Sequence, residues 1–144
     1  MDGLNNNYRR VCRIVIVKEI ILNQSQLDRL TEHAMKSGQN ESCAMLLGIQ
    51  KEEQWNVKEI FLTQNVDGNP EVEFTISPEE LLTGYKHAEE KHLELVGIFH
   101  SHPKSIALPS ITDRKFMELN GDIPWIIFSG LTTDFKAFIL DEDV

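Results

Sequence analysis

Val96-Gly97-Ile98-Phe99-His100-Ser101-His102-Pro103, with Pro109-Ser110-Ile111-Thr112-Asp113 close behind it, is the stretch around which the chain is organised. Its apolar run reads as a buried strand, and the proline stops it. Residues i and i+2 of a strand share a face with a rise of roughly 3.3 Å per residue, so the imidazoles of His100 and His102 can converge on one ion. A catalytic zinc takes three protein ligands of the His and carboxylate kind and leaves a fourth position for water. Asp113 is the natural third ligand. The modest alternative is a chance histidine pair at a strand end, with Ser110-x-x-Asp113 serving only as a helix capping box. For Ser110 and Asp113 the two readings are compatible, because a capped helix start is a rigid place to hold a ligand.

Working outward, Ser77-Pro78-Glu79-Glu80 has a serine cap, proline at the first position and glutamate at the third, which marks a helix start. Leu81, Tyr85 and Ala88 give its buried stripe. The strand Leu93 to Phe99 then leads to the histidines. A further helix is expected from Ser110 to about Leu119, with Phe116 and Leu119 as core contacts and Gly121 as its stop. Trp125 to Ser129 and Phe135 to Leu140 read as strands, with Asp141 to Val144 solvated beyond them. Upstream, Val11 to Leu22 is rich in β-branched residues and reads as one or two strands. Asn23 with Gln26 is a capping pattern, followed by Leu27, Leu30, Ala34 and Met35 at helical spacing and by Gly38 as a stop. Glu41-Ser42-Cys43-Ala44-Met45-Leu46-Leu47-Gly48 is an apolar strand opened by an acid. Taken alone, Glu41 is an exposed strand-end charge. Trp55 to Thr63 and a short run Val72 to Ile76 complete the strands. His33, His87 and His92 default to surface or packing roles.

Bulk properties agree with an ordinary globular domain. The chain has 144 residues, 41% hydrophobic and 26% charged, enough for one core and one domain. A formal net charge of -9 disfavours nucleic acid and anionic membrane surfaces as partners. Two cysteines, Cys12 and Cys43, are too few for a disulfide framework. The polar start Met1 to Asn7 does not read as a signal peptide, and no apolar run is long enough to span a membrane. A cytoplasmic protein is expected, with residues 1–9 a flexible N-terminal arm and 10–144 a single folded domain. The mixed order of strands and helices predicts an α/β fold, a single layered domain in which helices flank a mixed sheet.

These residues resemble one family, the JAMM or MPN plus (Mov34/PAD-1) metalloproteases. The signature of an upstream glutamate, His-x-His-Pro, a short loop and Ser-x-x-Asp is matched by Glu41, His100-Ser101-His102-Pro103 and Ser110-Ile111-Thr112-Asp113. The likeness extends over Phe74 to Pro78 and Gly97, and departs at Ala44, where the family usually has glycine. It implies the family's curved mixed sheet, akin to the cytidine-deaminase-like architecture. It also implies one Zn2+ per chain held by His100, His102 and Asp113, with zinc-bound water as the nucleophile. Glu41 becomes the general acid/base and Ser110 the oxyanion donor. The implied reaction is hydrolysis of an isopeptide or peptide bond after the C-terminal tail of ubiquitin or a ubiquitin-like or sulfur-carrier protein. Strand addition would hold that tail, with Val72, Phe74 and Ile76 the nearest candidate edge. The resemblance leaves oligomeric state open. Two other readings are a non-catalytic MPN scaffold in a larger complex, whose members lack part of the ligand set, and a zinc nucleobase deaminase. The His-x-Glu and Pro-Cys-x-x-Cys signature of the latter is absent.

Overall fold

Cys43 to Gly48 has no polar face to turn to water, so the strand it forms is covered on both sides, and all six residues are buried. The computed structural model describes residues 11–16, 19–120 and 122–143. In chain order these form β1 (Val11–Ile16), β2 (Ile20–Ile21), α1 (Gln24–Lys36), β3 (Cys43–Lys51) and β4 (Gln54–Thr63). There follow α2 (Pro78–Glu90), β5 (Glu94–His102), α3 (Ile111–Asn120), β6 (Trp125–Ser129) and β7 (Phe135–Asp143). The seven strands make one mixed sheet in the order β1-β7-β6-β5-β3-β4-β2. β5 lies between β3, antiparallel to it, and β6, parallel to it.

The two halves of the Val11 to Leu22 run end on opposite edges of this sheet. From Ile16 to Ile20 the chain can advance at most about 14 Å. Six strand spacings laid flat would need about 29 Å. The sheet must therefore curl until its edges approach, which is the expected curvature in covalent terms.

Strand alternation sorts the core into two layers. Cys43, Met45 and Leu47 face α2 and α3 together with Ile98, Trp125 and Ile127. Ala44 and Leu46 face α1 through Leu30 and Ala34, joined by Phe99, Ile126 and Phe128. The ladder between β3 and β5 slips between Leu46/Gly97 and Leu47/Leu95, leaving Val96 as the extra residue of a bulge. A bulge changes which face the following residues take, and beyond it His100 and His102 point to the α2/α3 layer.

Several expectations are corrected. Tyr85 is half exposed, and the buried residues of α2 are Gly84 and Ala88. The helix lies so close to β3 that a Cβ at Gly84 would strike the Met45 sulfur and come within 2.7 Å of Met45 Cε, so the contact belongs to the glycine and its neighbour turns outward. In α3 the inward face is Asp113 and Met117, one turn apart, which leaves Leu119 at the surface. Met35 is exposed beside the buried Ala34. The final strand continues past Leu140 to Asp143 because β1 supplies a partner along that length, Val11 opposite Asp143. Val72 to Ile76 is not a strand at all. Its peptide groups bond to the Asn65 side chain and to Val66 instead of to a neighbouring strand. Residues 1–9, Arg10 as the start of structure, and Gly121 as a helix stop lie outside the described residues.

Candidate metal centre

The C-terminal end of the parallel pair β5/β6 is where α/β sheets commonly place ligands, and His102 is the last residue of β5. Its carbonyl accepts from the Gly130 amide at 2.9 Å, which fixes the strand end. His100 is fully buried, stacked on Phe74 at 4.7 Å and edge-on to Trp125 at 5.8 Å. Asp113 enters from α3, whose start is a reciprocal cap. The Asp113 amide donates to Ser110 Oγ at 3.0 Å and the Ser110 amide donates to Asp113 Oδ2 at 2.9 Å. The capping reading of this pair is therefore realised, with the same Asp113 carboxylate turned toward the histidines.

That same Oδ2 lies 3.1 Å from His100 Nε2 and 3.1 Å from His102 Nε2, and the two nitrogens are 3.1 Å apart. Tetrahedral coordination at 2.0–2.1 Å separates ligand atoms by about 3.3 Å, so the triangle fits a zinc-sized ion. The hydrogen bonding agrees. His102 Nδ1 is 2.9 Å from the Ile106 carbonyl, to which only an N–H can donate, so a neutral His102 presents a bare Nε2 to the cluster. A bare nitrogen against a carboxylate oxygen calls for a positive charge, whether a proton or a metal ion. Burial lowers the His100 imidazole below its ordinary value. At His102 burial also pulls down, but hydrogen bonds to Asp113 and Ile106 hold the imidazole above its ordinary value. Burial alone would raise Asp113, yet His100 and His102 keep it well below the usual carboxylate range.

Glu41 stands immediately before β3 and is 4% exposed, against the reading of it as an isolated surface charge. One of its carboxylate oxygens lies within 4.8 Å of ring nitrogens of both histidines. Its Oε1 has no hydrogen-bond partner among the described residues. Burial pushes the carboxyl up to about 8, with Asp113 adding to the rise and His102 opposing it. Asp113 Oδ2 makes 3.1 Å contacts to both histidines, and a Glu41 carboxylate oxygen lies within 4.8 Å of them.

Of the weaker sequence candidates, Phe74 and Ile76 are core residues and Val72 is exposed. Phe74 reaches the centre through its ring on His100. Beside it a groove of about 230 Å³ is walled by Ile76, Leu81 and Phe116 and floored by Ile98 and Trp125. His33 packs α1 onto the sheet, its Nε2 within 3.1 Å of the Cys43 and Thr63 carbonyls. His87 pairs with Glu59 at 2.6 Å. Sequence reading missed a latch on the opposite face. Ser101, between the two histidines, accepts from the Ser42 amide at 2.9 Å and bonds the Ser42 hydroxyl at 2.8 Å, aligning the start of β3 with the end of β5. Its signal was the polar residue inside His-x-His, which strand alternation sends away from the two imidazoles.

A curled mixed sheet whose central strand ends in a buried His, His and Asp cluster defines a JAB-like α/β domain, and comparison with known proteins agrees. The family described as prokaryotic homologs of the JAB domain matches residues 23–140. The desampylase of Pyrococcus furiosus is 35% identical over 108 residues, which cover 75% of this chain and 72% of that protein. The probable TtuB-protein conjugate cleaving protease of Thermus thermophilus is 31% identical over 116 residues, covering 81% and 72%. A solution structure of a Desulfitobacterium hafniense protein superposes with a TM-score of 0.74 at 26% identity, covering 86% of this chain and 89% of that one. The chain belongs to the JAB family of JAMM-type hydrolases, as the motif resemblance implies. Among the described residues no helix is long and apolar enough to cross a membrane.

Proposed function

We propose that this chain is a zinc-dependent isopeptidase that cuts after the C-terminal tail of a ubiquitin-like protein, releasing it from a conjugated amine. The observation that carries the reading is the 3.1 Å triangle of His100, His102 and Asp113 donor atoms with the buried Glu41 carboxylate beside it. Bound to those three residues, zinc would act as a Lewis acid and lower the pKa of a water to roughly 7.

The remaining chemistry falls to the chain's own groups. Glu41, in its ionised form, accepts a proton from the attacking water and returns it to the departing amine. Ser110 Oγ already accepts from the Asp113 amide, so its own O–H is the group it can aim at a developing oxyanion. The Ile106 carbonyl holds His102 in the tautomer a ligand needs, and Phe74 with Trp125 shields His100 from water. An apolar side chain of the tail would sit in the groove lined by Phe74, Ile76 and Trp125.

The names of the two relatives, a desampylase and a conjugate-cleaving protease, support removal of a protein modifier over general proteolysis. The scaffold alternative is disfavoured by the full set of Glu41, His100, His102, Ser110 and Asp113. The test is a screen of ubiquitin and ubiquitin-like proteins as linear and lysine-linked fusions. Cleavage should occur at the modifier's C-terminus, stop with a chelator and return with zinc. Zinc-loaded protein that cleaves none of them would sink the proposal.

A further inference from the structure

We infer that Asn65 is a positioning residue for this reaction, one side-chain amide that fixes the backbone of Glu41 and ties it to the segment carrying Phe74 over His100. The inference rests on the hydrolase reading above for its functional meaning, and on hydrogen bonding for its geometry.

Glu41 precedes β3, which begins at Cys43, so the sheet ladder does not hold it. Its peptide groups are held by the loop after β4. The Glu41 amide donates to the Pro70 carbonyl at 2.8 Å, and the Glu41 carbonyl accepts from Asn65 Nδ2 at 2.9 Å. The same Nδ2 donates to the Glu73 carbonyl at 2.9 Å and reaches the Pro70 carbonyl at 3.4 Å. On its other side, Asn65 Oδ1 accepts from the Asp67 amide at 3.0 Å and the Thr75 amide at 3.1 Å. Every contact of the amide is to backbone, and the acceptors and donors are sorted so that only one orientation of the group satisfies them.

Two chain segments that local structure leaves untied thus meet on one residue. On one side is the proposed acid/base; on the other are Glu73 and Thr75, which flank the Phe74 ring stacked on His100. The chemistry demands asparagine. Aspartate offers no N–H to the two carbonyls, alanine offers nothing, and glutamine carries the amide one methylene too far. A displacement of about 1 Å at a reacting group can cost on the order of 100-fold in rate, so loosening this tether should be felt at Glu41 first.

The experiment compares wild type, Asn65→Ala and Asn65→Asp by amide hydrogen exchange on the whole chain, and measures cleavage by each variant with and without Glu41→Gln. The Glu41 amide keeps its own bond to the Pro70 carbonyl, so its exchange should quicken, roughly tenfold or more in both variants, through opening of the loop that Asn65 ties, while Met45 and Leu46 keep their protection. The Thr75 amide should lose protection in Asn65→Ala and retain it in Asn65→Asp, which still carries the acceptor. Zinc content should stay at one per chain. Cleavage should fall on the order of 10- to 100-fold in the wild-type background and by far less when Glu41 is already glutamine, as for residues acting through one another. Unchanged protection at Glu41, equal loss of protection in β3, or the same fold-loss in both backgrounds overturns the assignment. If the variant lacking Glu41 turns over too slowly to read, the exchange pattern decides alone. A wild-type chain that cleaves nothing refutes the hydrolase reading, and exchange still decides the tether.

Discussion

Glu41→Gln offers a direct energetic test of how the site is built. In the folded, metal-free chain burial holds the Glu41 carboxyl up to about 8, against an ordinary value of 4.5. Between those two pH values the unfolded chain has released its proton while the folded chain still keeps it. The folded state therefore binds more protons, and stability declines as pH rises through the window, level below it and level again above it. At about 1.4 kcal/mol per pH unit, the loss attributable to Glu41 reaches about 3 kcal/mol at pH 7. Glutamine does not titrate and is spared this loss. Urea unfolding of both proteins in chelator, from pH 4.5 to 8, should show the glutamine variant gaining on wild type with pH, by roughly 2–4 kcal/mol at the top of the range. A stability difference that does not change with pH would refute the burial of Glu41 and with it the tuning of the acid/base. The predicted trade is characteristic of a functional site, where a residue kept for chemistry weakens the fold.

Other perturbations separate the parts of the centre. His102→Ala and Asp113→Asn should each lower bound zinc below one per chain by elemental analysis after dialysis, because each removes a corner of the 3.1 Å triangle. Ser110→Ala should reduce kcat on the order of 100-fold with little change in KM, and thermal unfolding should also show about 1 kcal/mol lost from the cap of α3. Gly84→Ala should cost roughly 1–3 kcal/mol by driving a methyl into buried Met45, while zinc stoichiometry stays the same.

Much of this site was legible in the sequence because it uses local, directional rules. Strand alternation put His100 and His102 on one face, and a capping pattern placed Asp113 one turn into a helix. Glu41 was not legible by such rules. Its burial comes from long-range contacts with the 65–75 loop, and only the motif resemblance pointed to it. The misplaced core residues have a common cause, since helical spacing defines a stripe to within a residue but close approach selects the member. Gly84 displaced Tyr85 because the helix sits against Met45, and Met117 displaced Leu119 because Asp113 had to face inward. Val72 to Ile76 has the composition of a strand, yet the Asn65 side chain and the backbone of Val66 and Asn69 claimed its peptide groups. No propensity scale registers a single side chain that replaces a neighbouring strand.

The central claim is that three donors and one carboxyl form a single hydrolytic centre. Metal-stripped protein titrated with zinc, while cleavage of a lysine-linked ubiquitin-like conjugate is followed, tests it in one measurement. Activity should rise linearly and level off at one zinc per chain, with Glu41→Gln taking up the same single zinc and keeping only a small residual rate. Full cleavage without zinc, or a Glu41→Gln chain as active as wild type, would contradict the account.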